Sequence, residues 1–284
     1  MGSPLFSTAS DLRRELVASA LSDRDQRIEG GCRGVADYLR IASPSFMLLQ
    51  FATRGASMAV DRPDGRIVVQ PNGPYLVSGA VRIKRRSIVR SEHREPMTWQ
   101  TTAEVKAGDP VALCRCGGSA NKPFCDGTHA RNGFDGTESA STGPYGERAT
   151  VYEGTGVVVR DDRSVCEHAG FCGNRLTTVW KMVSGSATED SVVRAQMMSM
   201  IERCPSGALT YRLTPDGDDV EPELAYEIGV TDDGPYFVSG GVPVERSDGL
   251  PLETRNRVTL CRCGQSANKP LCDGSHKEAG FHDA

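Results

Sequence analysis

A seventeen-residue segment occurs twice in this chain, and that repetition constrains the fold more than any other feature. Residues 114–130 read CRCGGSANKPFCDGTHA and residues 261–277 read CRCGQSANKPLCDGSHK; thirteen of the seventeen positions are identical. Each copy is followed by a Gly-Phe pair, Gly133-Phe134 and Gly280-Phe281. Each is preceded by a Gly-Pro-Tyr stretch with strand character, 73–79 and 234–240. The repeating unit is therefore a whole module, a strand leading into a Cys-rich loop. The first copy is longer between these landmarks by 14 residues, which include Arg82-Ile83-Lys84-Arg85-Arg86 and continue through Arg90 and Arg94. Such a basic run reads either as a docking surface for an acidic redox partner or, more commonly, as a solvated strand and turn.

The repeated loop has the composition of a metal site. Cys114-x-Cys116 places two thiols on one side of an extended chain, because strand side chains repeat every second residue. Pro123 turns the chain so that Cys125 returns toward them. A helical turn beginning at 126–128 would put Cys125 and His129, four residues apart, on one face. Asp126 or Thr128 is suited to cap that turn, and Gly127 permits close backbone approach. Cys261, Cys263, Cys272 and His276 repeat this spacing. Three Cys and one His also make a tetrahedral zinc set. The Cys-x-Cys start and Cys-x3-His end, however, lack the paired knuckles usual in zinc modules.

The pattern Cys-x-Cys-x2-Ser-x3-Pro-x-Cys-Asp-Gly-(Ser/Thr)-His resembles the signature of the CDGSH iron–sulfur family, and both copies match it. The resemblance implies a 2Fe–2S cluster in each copy, with the His on the outer iron, and a small β-rich module that pairs with a second copy. A neutral imidazole in place of a thiolate removes negative charge and raises the reduction potential. Lys122 and Lys269, beside the Pro of each loop, are candidates for a charged group that tunes the cluster, or simply exposed lysines.

A different cysteine pattern lies between the copies: Cys166-Glu167-His168-Ala169-Gly170-Phe171-Cys172, then Cys204-Pro205. Bacterial ferredoxins use Cys-x2-Cys-x2-Cys and a remote Cys-Pro; here Ala169 occupies the middle position. Ser186-x-x-Glu189 predicts a capping box for a helix whose Val193, Met197, Met200, Ile201 and Cys204 share one face. Segments 150–160 and 208–213 read as strands. This region resembles the divergent single-cluster ferredoxin domain. Three thiolates suit a 3Fe–4S cluster, whereas His168 as fourth ligand would complete 4Fe–4S. Nine of the ten cysteines are thereby used; Cys32 sits in a Gly-rich loop and is incidental.

The expected fold is α+β: two small β-rich CDGSH-type modules forming an internal pseudo-dimer, a ferredoxin-like unit inserted between them, and a short helical N-terminal segment. The corresponding boundaries are 1–60, 61–140, 145–218 and 219–284. Thr8-x-x-Asp11 and the apolar spacing after it predict a helix in the first segment. A net charge of −4 argues against nucleic acid as a partner. The first ten residues lack the basic and apolar regions of a secretory leader, and the apolar stretch 45–52 is too short to span a bilayer. A cytoplasmic location without membrane attachment is expected, where clustered thiols serve as metal or redox groups. No dinucleotide fingerprint or P-loop occurs. The expected role is an electron-transfer chain between a separate reductase and an acceptor enzyme; an iron–sulfur oxidoreductase acting on a small molecule, or a redox-sensing or cluster-transfer protein, are the alternatives.

Overall fold

In the first strand, β1 (Arg66–Val69), Ile67 and Val69 are buried while Arg66 is exposed, the alternation expected of a strand with one face on a core. A computed structural model describes residues 64–283; the predicted N-terminal helices and Cys32 lie outside the described residues. β2 (Tyr75–Ser78) returns antiparallel to β1, with Tyr75 and Val77 inward. The chain then runs through β3 (Arg82–Arg90) and β4 (Pro96–Glu104), a long hairpin, to β5 (Val111–Leu113), which leads into the first Cys-rich loop.

The second copy repeats this order with β9 (Glu227–Thr231), β10 (Tyr236–Ser239), β11 (Val244–Glu245) and β12 (Arg257–Leu260). The copies exchange strands. β11 of the second pairs in parallel with β1 of the first, Ile67 opposite Val244, giving the order β11-β1-β2-β5. β3 of the first pairs in parallel with β9 of the second, Ile83 opposite Ile228, giving β12-β10-β9-β3-β4. One core lies between these sheets, with Ile67, Tyr75, Ile83, Ile228, Tyr236 and Leu260 at its centre.

Residues between the copies form a three-stranded antiparallel sheet, β6 (Thr150–Gly154), β7 (Val157–Asp161) and β8 (Leu209–Arg212), preceded by the one-turn α1 (Tyr145–Arg148). The single strand expected over 150–160 is instead a hairpin turning at Thr155-Gly156, where Gly156 has φ 69°. Helices α2 (Val179–Val183) and α3 (Ser191–Glu202) cover the sheet through a second core that includes Val159, Val179, Met197, Ile201 and Leu209. The capping box at Ser186 is not formed. Residues Ala187–Glu189 make a 3₁₀ turn, and Asp190 caps α3 by accepting from the Val192 N–H at 2.7 Å. Asp190 lies directly before the helical stretch, so its carboxylate reaches the free amides that Ser186 would have had to reach. The described residues form a mixed, sheet-rich fold with few helices. No helix among them is long and apolar enough to cross a membrane.

The first part of the basic run, residues 82–86, is paired with carboxylates, while Arg90 and Arg94 are exposed. Arg82, Lys84 and Arg86 alternate along β3 and converge on the buried carboxylate of Glu227 in the partner strand, Lys84 at 3.1 Å and Arg82 at 3.7 Å. Arg85 pairs with Asp283 at 2.6 Å. The strand exchange thus gives these charges partners within the chain. The hairpin that contains them instead clasps the middle segment. Glu95 accepts from the Arg175 N–H at 2.6 Å, Trp99 Nε1 donates to the Arg203 carbonyl at 3.3 Å, and the Trp99 ring lies between Phe171 and Phe237, 5.3 and 5.4 Å away.

Candidate metal centres

Each Cys-rich loop is closed by its own backbone. Cys114 N–H donates to the Pro123 carbonyl and Cys125 N–H to the Ala112 carbonyl, at 2.8 and 2.9 Å; Cys261 and Cys272 repeat both bonds at the same distances. The turn that carries the His is a 3₁₀ turn, Thr128–Ala130, entered through Gly127 at φ 84°. Asp126 sets it: Oδ1 accepts from the Thr128 N–H and Oδ2 from the Ala120 N–H, so one carboxylate ties the two ends of the loop. Those bonds, led by the one from the Thr128 hydroxyl, hold the Asp126 carboxyl far below the usual carboxylate range. Asp273 does the same work in the second copy.

The donors come together in twos. Cys114 and Cys116 Sγ are 3.9 Å apart, and Cys261 and Cys263 Sγ 3.8 Å. Cys125 Sγ lies 3.3 Å from His129 Nδ1, and Cys272 Sγ 3.4 Å from His276 Nδ1. With metal–thiolate bonds of about 2.3 Å, a tetrahedral edge between two sulfurs is about 3.8 Å, so each thiol pair already has the spacing of two ligands on one metal. Among the described residues no three His, Cys, Asp or Glu side chains converge on a single ion. Two pairs per loop suit a dinuclear centre better than one tetrahedral ion.

Backbone amides face the sulfurs. The N–H groups of Gly118, Gly127, Gln265 and Gly274 each donate to the thiol two residues earlier, at 3.4 Å. Behind each Cys-x-Cys lies a wholly buried guanidinium that the sequence reading missed. Arg115 donates to the Gly136 carbonyl at 2.6 Å and stacks over Tyr75 and Phe134. Arg262 donates to the Gly234 and Thr231 carbonyls at 2.8 and 2.7 Å and stacks over Tyr236 and Phe281. Arg at the x of both Cys-x-Cys pairs is the one sequence signal that could have marked them. Of the two lysines singled out, Lys269 donates to the Ser266 carbonyl at 2.8 Å. Lys122 lies over the Phe281 ring, 5.9 Å from its centre.

The loops also hold each other. Tyr75 of the first copy donates to the Cys261 and Pro270 carbonyls of the second at 2.9 and 3.1 Å. Tyr236 donates to Cys114 and Pro123 at the same two distances, and the rings meet edge to face at 5.9 Å. Cys116 and Cys263 pair through their backbones.

In the middle segment, Cys166, Cys172 and Cys204 line one cavity of about 120 Å³ with Pro205 and Ala169. Cys204 touches both cores, so the cavity sits at the seam between the middle segment and the copies. Burial, followed by the nearness of the other thiols, raises the Cys172 thiol above its ordinary range. Three thiols lining one cavity fit an iron–sulfur cluster. His168 meets the site through its backbone, donating its N–H to Cys166 Sγ at 3.4 Å. Its ring lies against Gly274 of the second copy, where a Cβ would come within 3.3 Å of Cδ2.

The two His sites differ in their surroundings. His129 is half-exposed, whereas His276 is 7% exposed. Burial lowers the His276 pKa to about 4, with Lys277 and Arg262 adding to the effect, so the imidazole is neutral and free to act as a ligand. Glu167 is buried beside it, and that burial pushes its carboxyl up to about 7 against the opposing pull of Lys277. A cleft of about 340 Å³ borders Trp99, Glu167, His276 and Lys277.

Residues 72–130 and 233–277 match the family described as iron-binding zinc finger of CDGSH type, and residues 152–214 match the family described as divergent 4Fe-4S mono-cluster. Comparison with curated proteins and with solved structures returned no match. Two segments of the chain thus match the CDGSH-type family, and the segment between them matches the divergent mono-cluster family.

Proposed function

We propose that this chain is a multi-cluster electron-transfer protein that relays electrons between a separate reductase and an acceptor enzyme. In this reading Cys114, Cys116, Cys125 and His129 hold one 2Fe–2S cluster, and Cys261, Cys263, Cys272 and His276 hold the other. Cys166, Cys172 and Cys204 hold the third. Three thiols and a His168 ring turned toward Gly274 favour 3Fe–4S there, while the mono-cluster family name points to 4Fe–4S. The observation that carries the reading is the arrangement of donors in metal-edge pairs within both CDGSH-type loops.

When bound, such clusters take up and release single electrons. The chain's part is to hold them and to set their surroundings. Backbone amides aimed at the thiolates and the buried Arg115 and Arg262 offset negative charge, which favours the reduced state. We read the two copies as an internal pseudo-dimer, supported by the strand exchange and the reciprocal tyrosine bonds. The middle segment is read as the ferredoxin-like unit.

The cleft beside His276 favours a second reading, an oxidoreductase acting directly on a small molecule. Iron and acid-labile sulfide per chain, with EPR before and after dithionite, test the first. About seven irons with an oxidised-state signal are expected for two 2Fe–2S and one 3Fe–4S. About eight irons without that signal would establish 4Fe–4S. Zinc without labile sulfide would defeat the electron-transfer reading, and turnover of a small molecule with a chemical reductant alone would favour the second.

A further inference from the structure

The internal repeat supplies its own control, because equivalent residues of the two loops can be compared within one molecule. In the second copy the loop that carries the His is packed against the loop that carries Cys166. Asn268 Nδ2 donates to the Ser164 carbonyl at 2.7 Å, and Lys277 Nζ donates to the His168 carbonyl. A Cβ on Gly274 would lie 3.0 Å from the Glu167 carbonyl. The equivalents in the first copy are Asn121, Ala130 and Gly127; the first two are exposed, and a Cβ on Gly127 would meet nothing within 4 Å among the described residues. Among the described residues, the mono-cluster segment therefore packs against one His end and not against the other.

The opposite ends of the loops, at the Cys-x-Cys pairs, lie back to back. Cys116 and Cys263 pair through their backbones, and a Cβ on Gly117 would come within 2.6 Å of the Cys263 carbonyl. These contacts link the donor pairs as successive neighbours. Cys166 and its partners come first, then Cys272 with His276, Cys261 with Cys263, Cys116 with Cys114, and last Cys125 with His129 at the surface.

We propose that the two CDGSH-type sites have unequal roles: the His276 site is an internal relay facing the mono-cluster site, and the His129 site is the terminal that meets a one-electron carrier outside the chain. This rests on the electron-transfer reading. A single electron passes between neighbouring sites, each oxidised as the next is reduced, with no bond made or broken; the outside carrier supplies or removes it at the His129 end. The Trp99 clasp holds the covered end in place by fixing Phe171 and Arg203, the residues just before Cys172 and Cys204.

The test is EPR relaxation on the reduced full-length holoprotein, on His129→Cys and on His276→Cys. Each variant keeps a ligand and moves the g values of one site. The signal moved by His276→Cys should relax several-fold faster when the mono-cluster centre is paramagnetic. The signal moved by His129→Cys should be the one broadened by an added dysprosium chelate. Equal responses at both sites, or the reverse assignment, overturn the proposal. Should a variant fail to load iron, the wild-type protein still decides: two 2Fe–2S populations of equal size with opposite sensitivities are expected, and one uniform population overturns it. Zinc in place of iron and sulfide would remove the electron-transfer reading itself and this proposal with it, a failure that the metal analysis separates from the other.

Discussion

Tyr145 shows how much a single side chain joins in this molecule. Its hydroxyl meets the carbonyls of Arg160 and Ala208 at 3.0 and 3.2 Å and the Thr210 hydroxyl at 3.2 Å, while Arg255 of the second copy lies 3.9 Å over its ring. Burial pushes its pKa up to about 12, against the opposing effect of the Thr210 hydrogen bond. A folded-state pKa above the unfolded value of about 10 favours the neutral form in the fold. Its contribution is fully present below pH ~10 and is lost as pH rises through ~12, and two units correspond to about 2–3 kcal/mol. Tyr145→Phe should therefore flatten the fall in stability across that window, measured by urea unfolding at intervals of pH, at the cost of the lost hydrogen bonds at neutral pH. An equal alkaline fall in variant and wild type would show that Tyr145 does not control it. Arg115 and Arg262 make a related point. As letters in Cys-Arg-Cys they look like surface cations, and only the tertiary fold reveals them as wholly buried, each ringed by carbonyls and aromatic faces.

At the scale of elements, the strength of sequence patterns followed the distance over which they act. The Cys-x-Cys and Cys-x3-His spacings were readable because the bonds each loop makes within itself lie within about sixteen residues of chain. Helix α3 was readable from Val193, Met197, Met200 and Ile201, which face the second core. Its start was misplaced because Ser-x-x-Glu and Asp offer the same kind of cap, and only geometry chooses between them. Asp190→Ala should cost about 1 kcal/mol, whereas Ser186→Ala should leave the urea midpoint nearly unchanged; the reverse order would restore the capping box. The β3–β4 hairpin was the harder case. Its basic run is explained by Glu227, a residue more than a hundred positions downstream, and no local rule connects the two. What lengthens the first copy relative to the second is an arm that grips the inserted segment at Arg175, Phe171 and Arg203.

At the scale of the molecule, each copy is completed by the other. The tyrosine bonds make this testable. Tyr75→Phe removes a donor from two buried carbonyls of the second loop, which costs about 1–3 kcal/mol, and leaves the first loop's own bonds intact. After challenge with an iron chelator, alkylation mapped by mass spectrometry should find Cys261 and Cys263 modified sooner in Tyr75→Phe, and Cys114 and Cys116 sooner in Tyr236→Phe. Labilisation of the variant's own copy in both cases would contradict the reciprocal arrangement. The repeat was plain in the sequence, but the exchange of strands was not, because parallel pairing of β1 with β11 and of β3 with β9 depends on contacts that no periodicity encodes. That exchange bears on how the chain is made. Tyr75 and the carbonyl it holds are 186 residues apart, so the ribosome releases the first Cys-rich loop long before β11 exists to close its sheet. Contacts this distant are slow to form and leave edges open meanwhile. The thiols of the first copy therefore wait in an unfinished fold while more than a hundred further residues are made, and β11 and β12 then seal both copies.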